Sequence, residues 1–171
     1  MSDAGPSSQG SPFWRFSLQF YRQPKVADAC IALQEEAGVD VNLLLFLLWH
    51  ARQGRRLSKA DVAALEAKIA AWRDATVIPL RGVRRALKAA PALVEPSTAE
   101  AFRNRIKAVE LEAERLQQEA MYALAPLGAE AGDRNQAAIR NVDAYQEMLA
   151  VRFPSGATEI LLAAFAAMPA E

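Results

Sequence analysis

Apolar residues recur at helical spacing from Pro12 nearly to the end of the chain, and no stretch combines sustained alternation with the β-branched enrichment a strand needs. The pattern predicts an all-α fold, a single-domain helical bundle of about six to seven helices. Ser11 followed by Pro12 reads as an N-cap with proline at the first helical position, opening a short helix to about Tyr21. Pro24 begins a second helix, which Gly38 can end in a left-handed cap. Asp40 caps a third, VNLLLFLLWHARQ, closed by Gly54. That segment is apolar nearly all round, which places residues 40–53 at the centre of the bundle.

Ser58 with Asp61 resembles a capping box and starts a long helix over residues 58–90. Within it Val62, Leu65, Ile69, Trp72, Thr76, Leu80, Val83 and Leu87 share one arc, while Arg73, Arg81, Arg84, Arg85 and Lys88 share the next. Pro79 removes a backbone donor and crowds the Ala75 carbonyl. A kink near Thr76–Pro79, with the register continuing through it, is therefore expected. After the connection PALVEP (91–96), Ser97 with Glu100 forms a fuller capping box for a fifth helix, from Thr98 to about Ala125, where Pro126 ends it. Phe102, Ile106, Val109, Ala113, Leu116, Ala120 and Leu124 make its apolar stripe. The loop-like PLGAEAGD (126–133) separates a C-terminal pair, Arg134–Arg152 and Thr158–Met168. The expected organisation is a disordered tail over 1–11, a helical core over 12–125 and a helical extension over 126–171 packed on that core.

Composition narrows the function classes. Of 171 residues, 52% are hydrophobic and 23% charged, with 20 basic side chains against 20 acidic ones. A neutral chain has no global field to draw it onto nucleic acid or an anionic membrane, so such binding would have to be local. The longest strictly apolar run, Leu43–Trp49, is far too short to span a bilayer. The polar, Gly/Ser/Pro-rich start does not read as a signal peptide, and the single cysteine excludes an internal disulfide framework; both fit a reducing cytoplasm.

Chemistry-bearing motifs are sparse. His50 is the one histidine around which a Ser/His/Asp triad could be built, and no G-x-S-x-G accompanies it. Cys30 lies among Val26, Ile31 and Leu33 and reads as a buried structural thiol. A di-iron bundle would need Glu-x-x-His on two helices, and neither a Gly-rich phosphate loop nor an aspartate-rich motif is present, so no metal or cofactor is expected. Glu110 and Glu114 share a helix face, and an ion-pair ladder with Lys107 between them is the expected arrangement.

The cations at 81, 84, 85 and 88 stand one turn apart and call for a counter-charge. Glutamates of a neighbouring helix are the bland source. The functional source is an acidic partner surface or a small anionic ligand. The neighbours of this stripe are aliphatic rather than base-reading, which argues against nucleic acid.

The blocks FWRFSLQFY (13–21), VADACIALQEEAGVDVNLLLFLLW (26–49), WRDATVIPLRGVRRALK (72–88) and RIKAVELEAER (105–115) resemble domain-of-unknown-function family 2390 over about residues 12–125. The resemblance implies a proteobacterial, cytoplasmic, helical protein and carries no catalytic residues. The expected function is a non-enzymatic protein-interaction or adaptor module whose contact surface includes Trp72, Arg73, Arg81, Arg84, Arg85 and Lys88. The alternative is a small anionic ligand binder or enzyme with a phosphate or carboxylate site at the Pro79 kink. A homodimer through Leu43–Trp49 or the last helix is a third reading. The first fails if Arg84 and Arg85 are engaged by internal glutamates.

Overall fold

Short polar residues set most of the helix boundaries. In the computed structural model, which describes residues 10–170, Ser11 Oγ accepts the Trp14 N–H at 3.1 Å and Pro12 opens α1 (Pro12–Tyr21). Residues 1–9 of the expected tail lie outside the described residues. α2 (Val26–Ala37) begins later than Pro24 indicates, after Lys25 turns left-handed, and ends at Gly38 with φ 67°. Asp40 Oδ1 accepts the Asn42 and Leu43 N–H groups at 2.8 and 3.2 Å and caps α3 (Val41–Arg52). After a two-residue strand β1 (Arg55–Arg56), the Ser58/Asp61 capping box is formed in both directions and starts α4 (Lys59–Trp72).

The kink expected at Pro79 takes the form of a π-helical turn, Arg73–Val77, leading into α5 (Ile78–Ala86) and a 3₁₀ turn, Leu87–Ala89. Pro79 has no N–H for the Ala75 carbonyl, and just before it the ladder widens: the Ile78 N–H bonds to the Arg73 carbonyl five residues back. Thr76 Oγ1 donates to the Trp72 carbonyl at 2.7 Å. The register therefore does not run through unchanged. Val62, Leu65 and Ile69 are buried as expected, but the next buried position is Val77 rather than Thr76, and Val83 is 44% exposed.

α6 (Pro96–Tyr122) starts earlier than expected because Glu95 supplies the cap, accepting the Thr98 N–H at 3.1 Å, with Pro96 at the first helical position; the Ser97/Glu100 box does not form. Strand β2 (Ala129–Glu130) pairs antiparallel with β1, Arg55 opposite Glu130 and Arg56 opposite Ala129. A Cβ at Gly128 (φ 73°) would collide with the Arg56 carbonyl, so this crossing requires glycine. Asp133 caps α7 (Arg134–Leu149), which ends in a left-handed Ala150, and α8 (Ser155–Ala167) completes the chain.

The architecture is an all-α helical bundle around α3, whose residues from Asn42 to Leu48 are all buried. α7 lies along α3, α8 closes on α2, and α1 and α6 cover the remaining sides. Asn141, fully buried on α7, joins these layers: its Oδ1 accepts the Leu57 N–H at 2.8 Å, and its Nδ2 donates to the carbonyls of Leu47 and Arg55 at 2.9 and 3.1 Å. One hydrophobic cluster runs through α1, α2, α3, the first part of α4, α7 and α8, and takes only Met121 from α6. α3 and α8 are thereby packed within the body.

The segment from the π-turn through the first half of α6 is built differently. No residue of α5 is buried, and α5 packs on α6 and its own flanking turns. It forms an arm on the body.

Candidate functional site

The residues singled out by the sequence meet where this arm joins the body, and they meet carboxylates. Arg73, carried on the π-turn, makes a two-pronged contact with Glu66 two turns earlier, at 2.7 and 2.9 Å, and also reaches Asp40 at 3.4 Å and Asp74 at 3.2 Å. The α3 cap Asp40 is a hub. Its Oδ2 accepts from Gln117 Nε2 at 2.9 Å, and its backbone N–H donates to the Tyr145 hydroxyl at 2.9 Å, so α3, α6, α7 and the π-turn converge on one residue.

Two turns further along, Arg81 donates to Glu110 at 3.1 Å and to Glu114 at 2.9 Å. Arg84 grips Glu110 with both Nε and Nη2. Arg103 Nε donates to the Arg84 carbonyl at 3.2 Å, adding a second tie between α5 and α6. Glu110 is 5% exposed. Burial pushes its carboxyl up, but the Arg84 and Arg81 guanidiniums outweigh that and hold it below the ordinary glutamate range. Burial raises Glu114 instead, the pull of Arg81 being partly cancelled by the charge of Glu110.

Arg85 reaches Glu35 of α2 at 3.1 Å across an exposed gap, and Lys88 is exposed with no ion pair among the described residues. Trp72 is 40% exposed and donates its indole N–H to the Ala113 carbonyl at 3.0 Å, which fixes it over α6. The ladder expected around Lys107 does not form, because Glu110 and Glu114 are taken by α5 arginines that sequence spacing along a single helix cannot reveal.

A cavity of about 270 Å³ opens beside the π-turn, lined by Asp40, Glu66, Arg73, Arg81, Val77 and Tyr145 among others. Two arginines do converge there, but the lining carboxylates balance them and each guanidinium is already engaged. The arrangement fastens an arm; it leaves no surplus positive charge for an anion. The aromatic side chain lining it is Tyr145.

The other chemistry-bearing residues are withdrawn from solvent. Burial lowers His50 to about 4, and the ring bridges the Phe46 carbonyl at Nδ1 and the Leu127 N–H at Nε2, both at 3.1 Å. Since Nε2 accepts, Nδ1 carries the proton. Burial pushes the Cys30 thiol up to about 12. Among the described residues, no group of three or more histidine, cysteine or carboxylate side chains is placed to hold a metal, and no helix is long and apolar enough to cross a membrane.

Sequence reasoning also missed what the arm leaves open. Phe102, Val109 and Leu116, part of the apolar stripe that spacing marks on this helix, are 44%, 52% and 43% exposed. The signal was their seven-residue spacing, which marks a single edge of the helix apart from the buried face of Ala99, Glu110, Ala113 and Gln117.

A family model described as protein of unknown function (DUF2390) matches residues 12–121, from the first residue of α1 to the last turn of α6. No curated protein and no solved structure matches the chain.

Proposed function

The chain belongs to the DUF2390 family, which prescribes no chemistry, and from that premise we propose that it is a non-enzymatic interaction module working through the apolar edge of the arm. The observation that carries the reading is where the open hydrophobic surface lies. Nine of the thirteen large apolar side chains exposed among the described residues fall between Trp72 and Leu116, a concentration that marks binding surfaces more often than scattered exposure does. The basic stripe keeps a role, but as the fastening that holds this edge in place.

The occupant we assign to the edge is the same edge of a second copy. Phe102, Val109 and Leu116 form a row centred on Val109. Arg105, stacked on Phe102 with its guanidinium carbon 5.5 Å from the ring centre, flanks the first half, and Glu112, paired with Arg115, flanks the second. Two α6 helices crossing antiparallel about Val109 set Phe102 against Leu116 and Arg105 beside Glu112 of the other copy, an isologous arrangement. The withdrawn His50 and Cys30 support the non-enzymatic part of the reading.

Light scattering on the full chain across a concentration series tests this directly. A dimer is expected for the parent and a folded monomer for Val109→Glu. Photocrosslinking in cells from positions 102 and 109, with the exposed Ile139 as control, separates the remaining outcomes. A monomer that crosslinks to another protein replaces the second copy as occupant, and a monomer with no more adducts at the edge than at Ile139 removes the interaction reading altogether.

A further inference from the structure

On the face of the body where α4 starts and α7 ends, a cleft of about 600 Å³ is walled by Arg56, Lys59, Arg140 and Arg152. These cations come from strand β1, the first turn of α4, the middle of α7 and the loop after it. Among the described residues no ion pair or side-chain hydrogen bond engages any of the four. Asp143 and Glu147 are the carboxylates lining the cleft, so it carries two positive charges in excess; Asp143 is also within 3.4 Å of Gln146 Nε2. The α5 arginines answer their mutual repulsion with Glu110, Glu114 and Glu35, whereas this second group has no such internal answer.

We propose that this cleft is a binding site for a small phosphate monoester. A monoester carries about −1.5 to −2 charge at neutral pH, which matches the excess, and arginines approaching from several elements suit the several oxygens of a phosphoryl group. Leu57, Ala144, Ala150 and Val151 supply an aliphatic lining, and no aromatic ring lines the cleft, so the organic part is a small aliphatic or hydroxylated body rather than a stacked base. The first turn of α4 is already closed by the Ser58/Asp61 box, so the positive charge on offer is that of the side chains. The left-handed Ala150 ends α7 at the edge of the cleft and turns the chain towards Arg152.

The test is calorimetric titration of the full chain with glycerol phosphate, with glycerol as the neutral counterpart. Saturable one-site binding of glycerol phosphate but not glycerol is expected. It should weaken roughly tenfold or more in Arg140→Gln/Arg152→Gln, since each lost charge-assisted hydrogen bond is worth about a factor of ten. It should be unchanged in Arg85→Gln/Lys88→Gln, which removes the same charge elsewhere. All four positions are exposed, and thermal melts confirm that both variants fold. Absence of saturable binding, or equal weakening in the two variants, overturns the proposal.

Discussion

The body and the arm are held by opposite means. Around α3 the chain buries phenylalanine, leucine and valine and uses buried polar groups sparingly; Asn141 is engaged at both its oxygen and its nitrogen. In the arm the contacts that fix the geometry are ionic, Glu110 and Glu114 against Arg81 and Arg84, while much of the apolar surface stays open. Hydrophobic burial is non-directional and scales with area, so it serves where a segment can be surrounded. A protruding hairpin cannot be surrounded. Geometry there must come from directional bonds, and the bidentate guanidinium–carboxylate contact supplies them.

That contrast can be broken from the body first. Asn141→Leu strands the Leu57 N–H and the Leu47 and Arg55 carbonyls in the interior, and should cost about 4 kcal/mol in urea denaturation at 1–3 kcal/mol per orphaned group. A loss below about 1 kcal/mol would mean that α7 is not fastened as described. Acid should act on the body next. The folded His50 stays neutral down to about pH 4, whereas an unfolded histidine takes up its proton near 6.5. Between those values the unfolded chain binds more protons, so stability is complete above pH 6.5 and falls by roughly 3 kcal/mol as pH drops to 4. A His50→Gln variant with the same acid profile would assign the loss to other groups.

The arm should respond more weakly and more locally. Glu110→Gln leaves Arg81 and Arg84 short of a counter-charge at a mostly buried position, and a cost of roughly 2 kcal/mol is expected. Hydrogen exchange sharpens the contrast: amides over residues 73–112 should exchange faster while those of α3 and α7 hold. Acceleration spread evenly over the chain would show that arm and body open as one unit. The smallest effect is expected from Arg85→Gln, whose pair with Glu35 is half exposed on both sides, and the midpoint should move by no more than about 0.5 kcal/mol.

Much of the fold was legible because its signals are local. Ser11, Gly38, Asp40, Ser58 with Asp61, and Pro79 each act within a few residues, and each marks a boundary or irregularity that the structure contains. The need for counter-charges on the α5 arginines was legible too, but their source was not. Glu110 lies 29 residues from Arg81, and Glu35 lies 50 from Arg85. For the same reason Arg56, Lys59, Arg140 and Arg152 form no cluster along the chain, although they line one cleft in space. The stripe holding Phe102, Val109 and Leu116 was legible as apolar but its exposure was not, because periodicity reports a face and says nothing about how far the neighbouring helix extends.

The widened turn at Arg73–Val77 acts as a phase setting between two rotors. An α-helix advances about 100° per residue, so one residue more or fewer between body and arm rotates everything beyond it by that angle. With the present count, Arg81 and Arg84 point at α6. Deleting one residue from the turn would keep both amphipathic patterns intact on paper while aiming the guanidiniums away from their glutamates. Insertions and deletions at this turn are therefore expected to be far less tolerated than substitutions, a length constraint that composition and hydropathy do not register.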